Sequence, residues 1–339
     1  MRASFDNSQL EIQNMKSLRL LFTLAFVVLA AVLQQAAVRA DIFGTGSNTF
    51  NIDFVDVGNA GNGDDLGAGG GYYSSPYGGV AYAFRMGVTE TAQDWIIKAT
   101  NLGLTDVAAN AWVGNQPAAN ITWYEAAAFV NWLNTSTGHH AAYNLNGSAT
   151  ALTLWNIAEA WDNDPNAGVE LNLYRHKDTY YFLPSEDEWY KAAYHQNDGV
   201  TENYWDYATG SNNLPTPVTS GIGAGTAVWS GGSVKAPATV DNSGGLSSYG
   251  TRGQNGNVFE WMESALDGVN DSPDEYRAIR GGFWGGSRDG EFLRSSSRYF
   301  NPVQTEGLGF RVASIPEPSS TVLMLSTAMI TCFKRRRSN

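Results

Sequence analysis

The chain has 339 residues, with 33 Asp+Glu against 21 Lys+Arg, 37 Gly, 11 Trp and a single cysteine. A net charge of −12 repels polyanions, which disfavours nucleic-acid partners and favours cations. The lone Cys332 sits in an apolar segment at the C-terminus, so everything before it is closed to disulfides, thiolate metal sites and thiol nucleophiles.

Lys16 and Arg19 precede an apolar run from Leu20 to Leu33 that only Thr23 interrupts. That length suits the core of a secretion signal and falls short of a membrane span. Val38-Arg39-Ala40 places small residues at the −3 and −1 positions of a cleavage site, so residues 1–40 are expected to be removed and Asp41 to begin the mature chain. The polar stretch before Met15 fits neither signal nor fold, and Met15 is the expected initiator.

Residues 41–314 read as one globular domain with 13 Lys+Arg against 30 Asp+Glu, rich in Gly and Trp, as in a loop-rich body packed on aromatic side chains. Asn51 to Val57 alternates as a half-buried strand does, the Gly58 to Gly71 stretch reads as a loop, and Val80 to Val88 as a second strand. Ala92, Trp95, Ile96 and Ala99 recur with helical spacing behind Thr91 as N-cap. A second helix starts at the capping box Thr122/Glu125, buries Ala126, Phe129, Val130 and Leu133, and stops at Gly138. A third starts at the box Ser185/Glu188, with Trp189, Ala192 and Ala193 as its apolar stripe. Pro215 and Pro217 then break any helix, and Arg277 to Trp284 and Gly309 to Ala313 close the domain as short strands, which makes the class α+β.

Six blocks carry a resemblance. Arg85-Met86-Gly87-Val88-Thr89-Glu90-Thr91 is followed by Asn120-Ile121-Thr122-Trp123-Tyr124-Glu125-Ala126-Ala127 and then by Phe182-Leu183-Pro184-Ser185-Glu186-Asp187-Glu188-Trp189. Gly256-Asn257-Val258-Phe259-Glu260-Trp261, Arg280-Gly281-Gly282-Phe283-Trp284 and Gly309-Phe310-Arg311-Val312-Ala313 complete the set. In this order they resemble the formylglycine-generating, or sulfatase-modifying factor, family, whose α+β fold is related to C-type lectins and holds little regular secondary structure. Trp123, Trp132, Trp189 and Trp261 are expected as buried anchors, each worth ~3 kcal/mol. Gly281-Gly282 is expected to need positive φ or close backbone approach. Arg280 and Arg311 are expected to pair with carboxylates such as Glu188 or Glu260.

The resemblance implies a calcium ion held by Glu260 with carbonyls of Gly256 and Val258, and of Gly253, where relatives often carry Asn or Asp. Enzymatic members oxidise a substrate cysteine with a copper-binding cysteine pair. Aligned on Arg298 and Gly309-Phe310-Arg311, the second of that pair falls at Ser295 and the first at Gly290 or Glu291. Copper(I) selects sulfur ligands, so no copper and no formylglycine-generating activity are expected. What remains is a ligand pocket walled by Phe259, Ser287, Arg288, Arg294, Ser295 and Arg298, suited to an unknown glycan or protein ligand. The leading expectation is a non-catalytic binding or structural module, and the alternative is an exported enzyme of altered, non-thiol chemistry. His139, His140, His176 and His195 have no metal-ligand spacing, and the adjacent first two should point apart.

Residues 315–339 open with Ile315-Pro316-Glu317-Pro318 and continue through an apolar run from Thr321 to Phe333 into Lys334-Arg335-Arg336-Arg337. The run is short for a spanning helix, but the basic stop fits a tail held transiently in the inner membrane. The arrangement resembles the PEP-CTERM sorting tail, which implies a membrane protease that recognises Pro316, Glu317 and Pro318 and releases the protein to the cell surface or extracellular matrix.

Overall fold

The computed structural model describes residues 38–67, 76–108, 112–162, 171–229, 235–285, 290–303 and 308–316. The strands that position the site are β1 (Arg39–Phe43), β2 (Phe50–Val57), β3 (Phe84–Gly87), β4 (Asn172–His176), β5 (Tyr181–Phe182), β6 (Glu260–Ala265), β7 (Arg277–Arg280), β8 (Tyr299–Asn301), β9 (Gly309–Phe310) and β10 (Ala313–Ser314). The helices are α1 (Gln93–Thr100), α2 (Trp123–Ser136) and α3 (Glu186–Tyr194). One antiparallel sheet has the order β1-β2-β3-β10-β5, and a second has the order β8-β7-β6-β9, in which only β9 runs parallel to its neighbour β6. The fold is mixed α+β, as expected, with few helices and small sheets.

Local chemistry explains the elements. Phe50, Ile52 and Phe54 alternate on β2 and enter the main core, against Phe129, Val130 and Leu133 of α2. Both capping boxes form: the Thr122 side chain accepts from the Glu125 N–H, and Ser185 accepts from Glu188, with each glutamate reaching back to the cap. Gly138, at φ 84°, follows the end of α2. The first helix departs from expectation. Its N-cap is Ala92, which has no side-chain cap, and Thr91 does not act as one. The free N–H groups of Gln93 and Asp94 instead donate to the carbonyls of Gln116 and Gly114, so a neighbouring loop caps the helix.

Two strands are shorter than the sequence suggests. Only Phe84–Gly87 of the second expected strand pairs, and β7 stops at Arg280 because Gly281 and Gly282 turn the chain at φ 98° and 77°. Side chains there would collide: a Cβ on Gly282 would sit 2.9 Å from Leu293 Cδ2. The closing motif divides between the sheets, with Gly309–Phe310 in one and Ala313–Ser314 in the other. Arg311 is thereby fixed at their junction.

Trp123, Trp189 and Trp261 are fully buried, and Trp132 is only partly so. The indole N–H groups of Trp123 and Trp261 donate to the carbonyls of Met262 and Ile121, which satisfies the polar edge of each ring. The expected cut after Ala40 falls inside β1. Asp41 itself is tied into the fold, accepting from both Nη atoms of Arg85 and from the Tyr181 hydroxyl. Among the described residues no helix is long and apolar enough to cross a membrane. The apolar run of the expected tail, with Glu317 and Pro318, lies outside the described residues; Pro316 lies within them.

Candidate functional site

Three buried ion-pair groups hold the frame of the site. Arg311 binds Glu260 through Nε and Nη2 at 2.6 Å each, and the Trp189 indole donates to the same carboxylate at 2.8 Å. Arg280 and Arg298 share Glu186, with shortest contacts of 2.7 Å and 2.8 Å. Arg175 of β4 bridges Glu188 and Glu263 at 2.9 Å and 2.8 Å, with no exposure on any of the three. Arg311 therefore takes the partner expected of it. Arg280 takes Glu186 rather than Glu188, because residues two apart on a helix face different sides. Burial would push the Glu188 carboxyl up, but Arg175 beside it holds it below the ordinary range. Glu263, beside the same arginine, is raised by burial.

The segment from Gly290 to Ser295 is closed. Gly290 sits at φ 61° ahead of a short 3-10 turn over Glu291–Leu293. A Cβ there would lie 2.3 Å from Leu214 Cδ1 and 3.3 Å from Trp229 Cη2, so apolar side chains fill the space in front of it. Behind them Tyr207, Ala227, Trp229 and Leu293 form a small core of their own. Ser295 is buried: its N–H donates to the Asp206 carbonyl and its own carbonyl accepts from Arg280. Its side chain lies near the Tyr190 phenol, which donates to Asp65 at 2.7 Å. Both positions are thus occupied by packing and hydrogen bonds that offer no soft donor. Among the described residues no group of three His, Cys, Asp or Glu is placed to hold a metal. The histidines are spent on stacking: His139 on Tyr180 at 4.6 Å and His140 on His176 at 3.5 Å between ring centroids, so the adjacent pair does point apart.

Of the expected pocket wall, Phe259, Arg294, Ser295 and Arg298 lie in the described structure, whereas Ser287 and Arg288 lie outside the described residues. Arg298 is turned inward onto Glu186 and the Leu266 carbonyl. Arg294 is exposed, with its guanidinium 5.4 Å from the Tyr207 ring centroid. Phe259 belongs to a continuous strip of partly exposed rings that the sequence reading missed as a unit. It stacks on Phe283 at 5.5 Å and meets Phe292 and Tyr299 edge-on at 5.7 Å and 5.8 Å. Phe283 continues to Trp284 at 6.2 Å, and Trp284 to Trp112 at 6.2 Å. Phe283 and Trp284 were visible in the sequence only as part of a motif, and nothing in the spacing of Trp112 or Phe292 links them to it.

The calcium site implied by the resemblance does not fit the residues as they stand. Both oxygens of Glu260 are taken by a guanidinium, and the side chain is wholly buried, so the carboxylate brings no net charge to a cation. At Gly253 the place of a side chain is filled by Glu90, whose Oε2 would lie 2.5 Å from a Cβ there.

The described chain is a small α+β body of curled sheets, braced by buried Arg–Glu pairs and carrying a strip of partly exposed aromatic rings. The sequence of residues 81–315 matches the model of the sulfatase-modifying factor enzyme 1-like domain, and the chain belongs to that family. Several solved structures share the fold, two of which follow. Treponema denticola variable protein 1 is 21% identical, with a TM-score of 0.54 over 82% of this chain and 99% of its own. CarF is 18% identical, with a TM-score of 0.52 over 78% of this chain and 99% of its own. No curated protein sequence matches the chain significantly.

Proposed function

We propose that this domain is an exported, surface- or matrix-associated binding module that takes a glycan or a protein segment and performs no formylglycine-generating chemistry. The observation that supports it is the strip Trp112, Trp284, Phe283, Phe259, Phe292 and Tyr299, rings in continuous contact that each keep part of their surface in solvent. Ring faces and edges of this kind pack against the C–H faces of sugars or against apolar side chains, and the exposed Arg294 adds hydrogen-bond donors at the margin. The acidic surface disfavours polyanionic ligands. In this reading the signal at residues 1–40 exports the chain, and a membrane protease that reads Pro316, Glu317 and Pro318 removes the tail. The test is co-sedimentation of the mature domain with neutral polysaccharide and with whole extracellular matrix. Binding that drops at least tenfold in a Phe283→Ala, Trp284→Ala double variant of unchanged melting temperature supports the module; equal retention of both proteins refutes it.

A further inference from the structure

A cavity of about 270 Å³ opens between one face of α2 and two loops, and none of its lining residues belongs to the aromatic strip or to the buried ion-pair groups. Ala128, Asn131, Trp132 and Thr135 follow helical spacing and turn one face of α2 to it, while the chain at 103–106 and 145–149 supplies the rest of the wall. That wall is held in place from behind. Asn131 pairs both ways with the Tyr143 backbone, donating to its carbonyl at 2.7 Å and accepting from its N–H at 2.9 Å. The Asn146 side-chain carbonyl accepts from the N–H groups of Thr150 and Ala151 at 2.8 Å and 3.2 Å, which closes the second loop. The partly exposed Trp132 ring is stacked on Phe50 and Phe129, at 6.1 Å and 6.4 Å between centroids. Asp106 and Ala149, one on each loop, hold left-handed backbone at φ 61° and 48°, a conformation that is unfavourable without glycine and persists where the surroundings impose it.

Other polar groups of the same wall are uncommitted. The Trp132 indole N–H, the Thr105 hydroxyl and the Asp106 carboxylate make no hydrogen bond within the described structure, whereas the indoles of Trp123 and Trp261 each have a carbonyl. We propose that this cavity binds a single neutral pyranose, the end unit of a glycan. A pyranose presents an apolar C–H face and a rim of hydroxyls that both donate and accept. The face suits the Trp132 ring, and the hydroxyls have an acceptor in Asp106, a donor in the indole N–H and both in Thr105. The volume falls just below the roughly 300–1,000 Å³ of pockets for drug-sized ligands, which leaves room for one ring and not for a chain. An acidic or phosphorylated sugar is repelled by Asp106. A quaternary ammonium ion would use the ring and the carboxylate but leave the indole N–H and Thr105 unmatched. A ligand this small, in an open site, binds with a dissociation constant on the order of 1 mM. The site stands apart from the aromatic strip and does not depend on what that strip binds.

The probe is a panel of neutral methyl hexopyranosides, with tetramethylammonium as the cation control, titrated into the purified mature domain and read by saturation-transfer NMR and tryptophan fluorescence. We expect at least one sugar to bind with a dissociation constant on the order of 1 mM, and the ammonium ion not to bind. In Asp106→Gly, which removes the carboxylate and suits the left-handed backbone, that constant should weaken at least tenfold; a smaller change puts the sugar elsewhere and overturns the proposal. No sugar bound up to ~20 mM overturns it too, as does binding of the ammonium ion alone. If Asp106→Gly does not fold, Trp132→Phe keeps a ring against Phe50 and loses the indole N–H. Affinity weakened roughly threefold or more in that variant supports the site, and a smaller change overturns it.

Discussion

Arg311 and Glu260 meet where the two sheets join, side by side through Nε–Oε2 and Nη2–Oε1 contacts of 2.6 Å, with neither side chain exposed. The remaining donors of Arg311 reach the carbonyls of Gly87 and Arg252, so one side chain ties β3, the 252 loop and β6 together. Replacing it with methionine leaves a buried carboxylate without its cation, at an expected cost of about 3–5 kcal/mol in urea unfolding. The double variant Arg311→Met, Glu260→Gln removes that charge too and should be more stable than Arg311→Met alone. A double variant less stable than the single one contradicts the pairing.

The two capping glutamates are not equivalent. Glu125 accepts from Thr122 and the Ala108 N–H at the surface, while Glu188 closes its box, binds Arg175 through both oxygens and accepts the Tyr82 hydroxyl. Glu125→Gln should cost ~1 kcal/mol, whereas Glu188→Gln should cost on the order of 3 kcal/mol, because Arg175 is left in the core with one partner fewer. Equal losses in chemical denaturation would count against the Arg175 bridge.

Lys191 lies buried on α3 with its Nζ donating to the Asn59 carbonyl, and burial lowers its ammonium from 10.5 to about 8. Below pH 8 folding must bury that charge, and the domain gains stability as pH rises from there toward the ordinary lysine value, where the unfolded chain loses its proton as well. Lys191→Met should therefore be more stable than the parent by about 1–2 kcal/mol at pH 7, after the lost hydrogen bond is counted. That advantage should shrink steadily between pH 8 and pH 10.5. A pH-independent difference contradicts the assignment.

Much of the frame was legible because it rests on short-range chemistry. Thr122/Glu125 and Ser185/Glu188 announce helix starts by spacing alone, and both boxes form. The Gly281-Gly282 turn was legible for the same reason, since only glycine tolerates its φ values. What escaped depends on contacts distant in sequence. Thr91 has the chemistry of a cap, but the 114–116 loop supplies the carbonyls first. Arg175 sits in a stretch without any motif, and its two glutamates lie 13 and 88 residues away. Glu90 reads as one residue of a strand motif; only the fold reveals that it fills the side-chain space of Gly253. The aromatic strip draws rings from residues 112, 259, 283, 284, 292 and 299, and no periodicity links them.

The claim that this domain binds without oxidising rests on Gly290 and Ser295, one packed against Leu214 and the other buried with its backbone bonded to Asp206 and Arg280. The most direct test is to incubate the purified mature domain, supplied with copper and oxygen, with a Cys-x-Pro-x-Arg peptide and to weigh the peptide by mass spectrometry. The account predicts peptide of unchanged mass even at equimolar protein. The appearance of the aldehyde product, with the mass loss of thiol-to-formyl conversion, would contradict it.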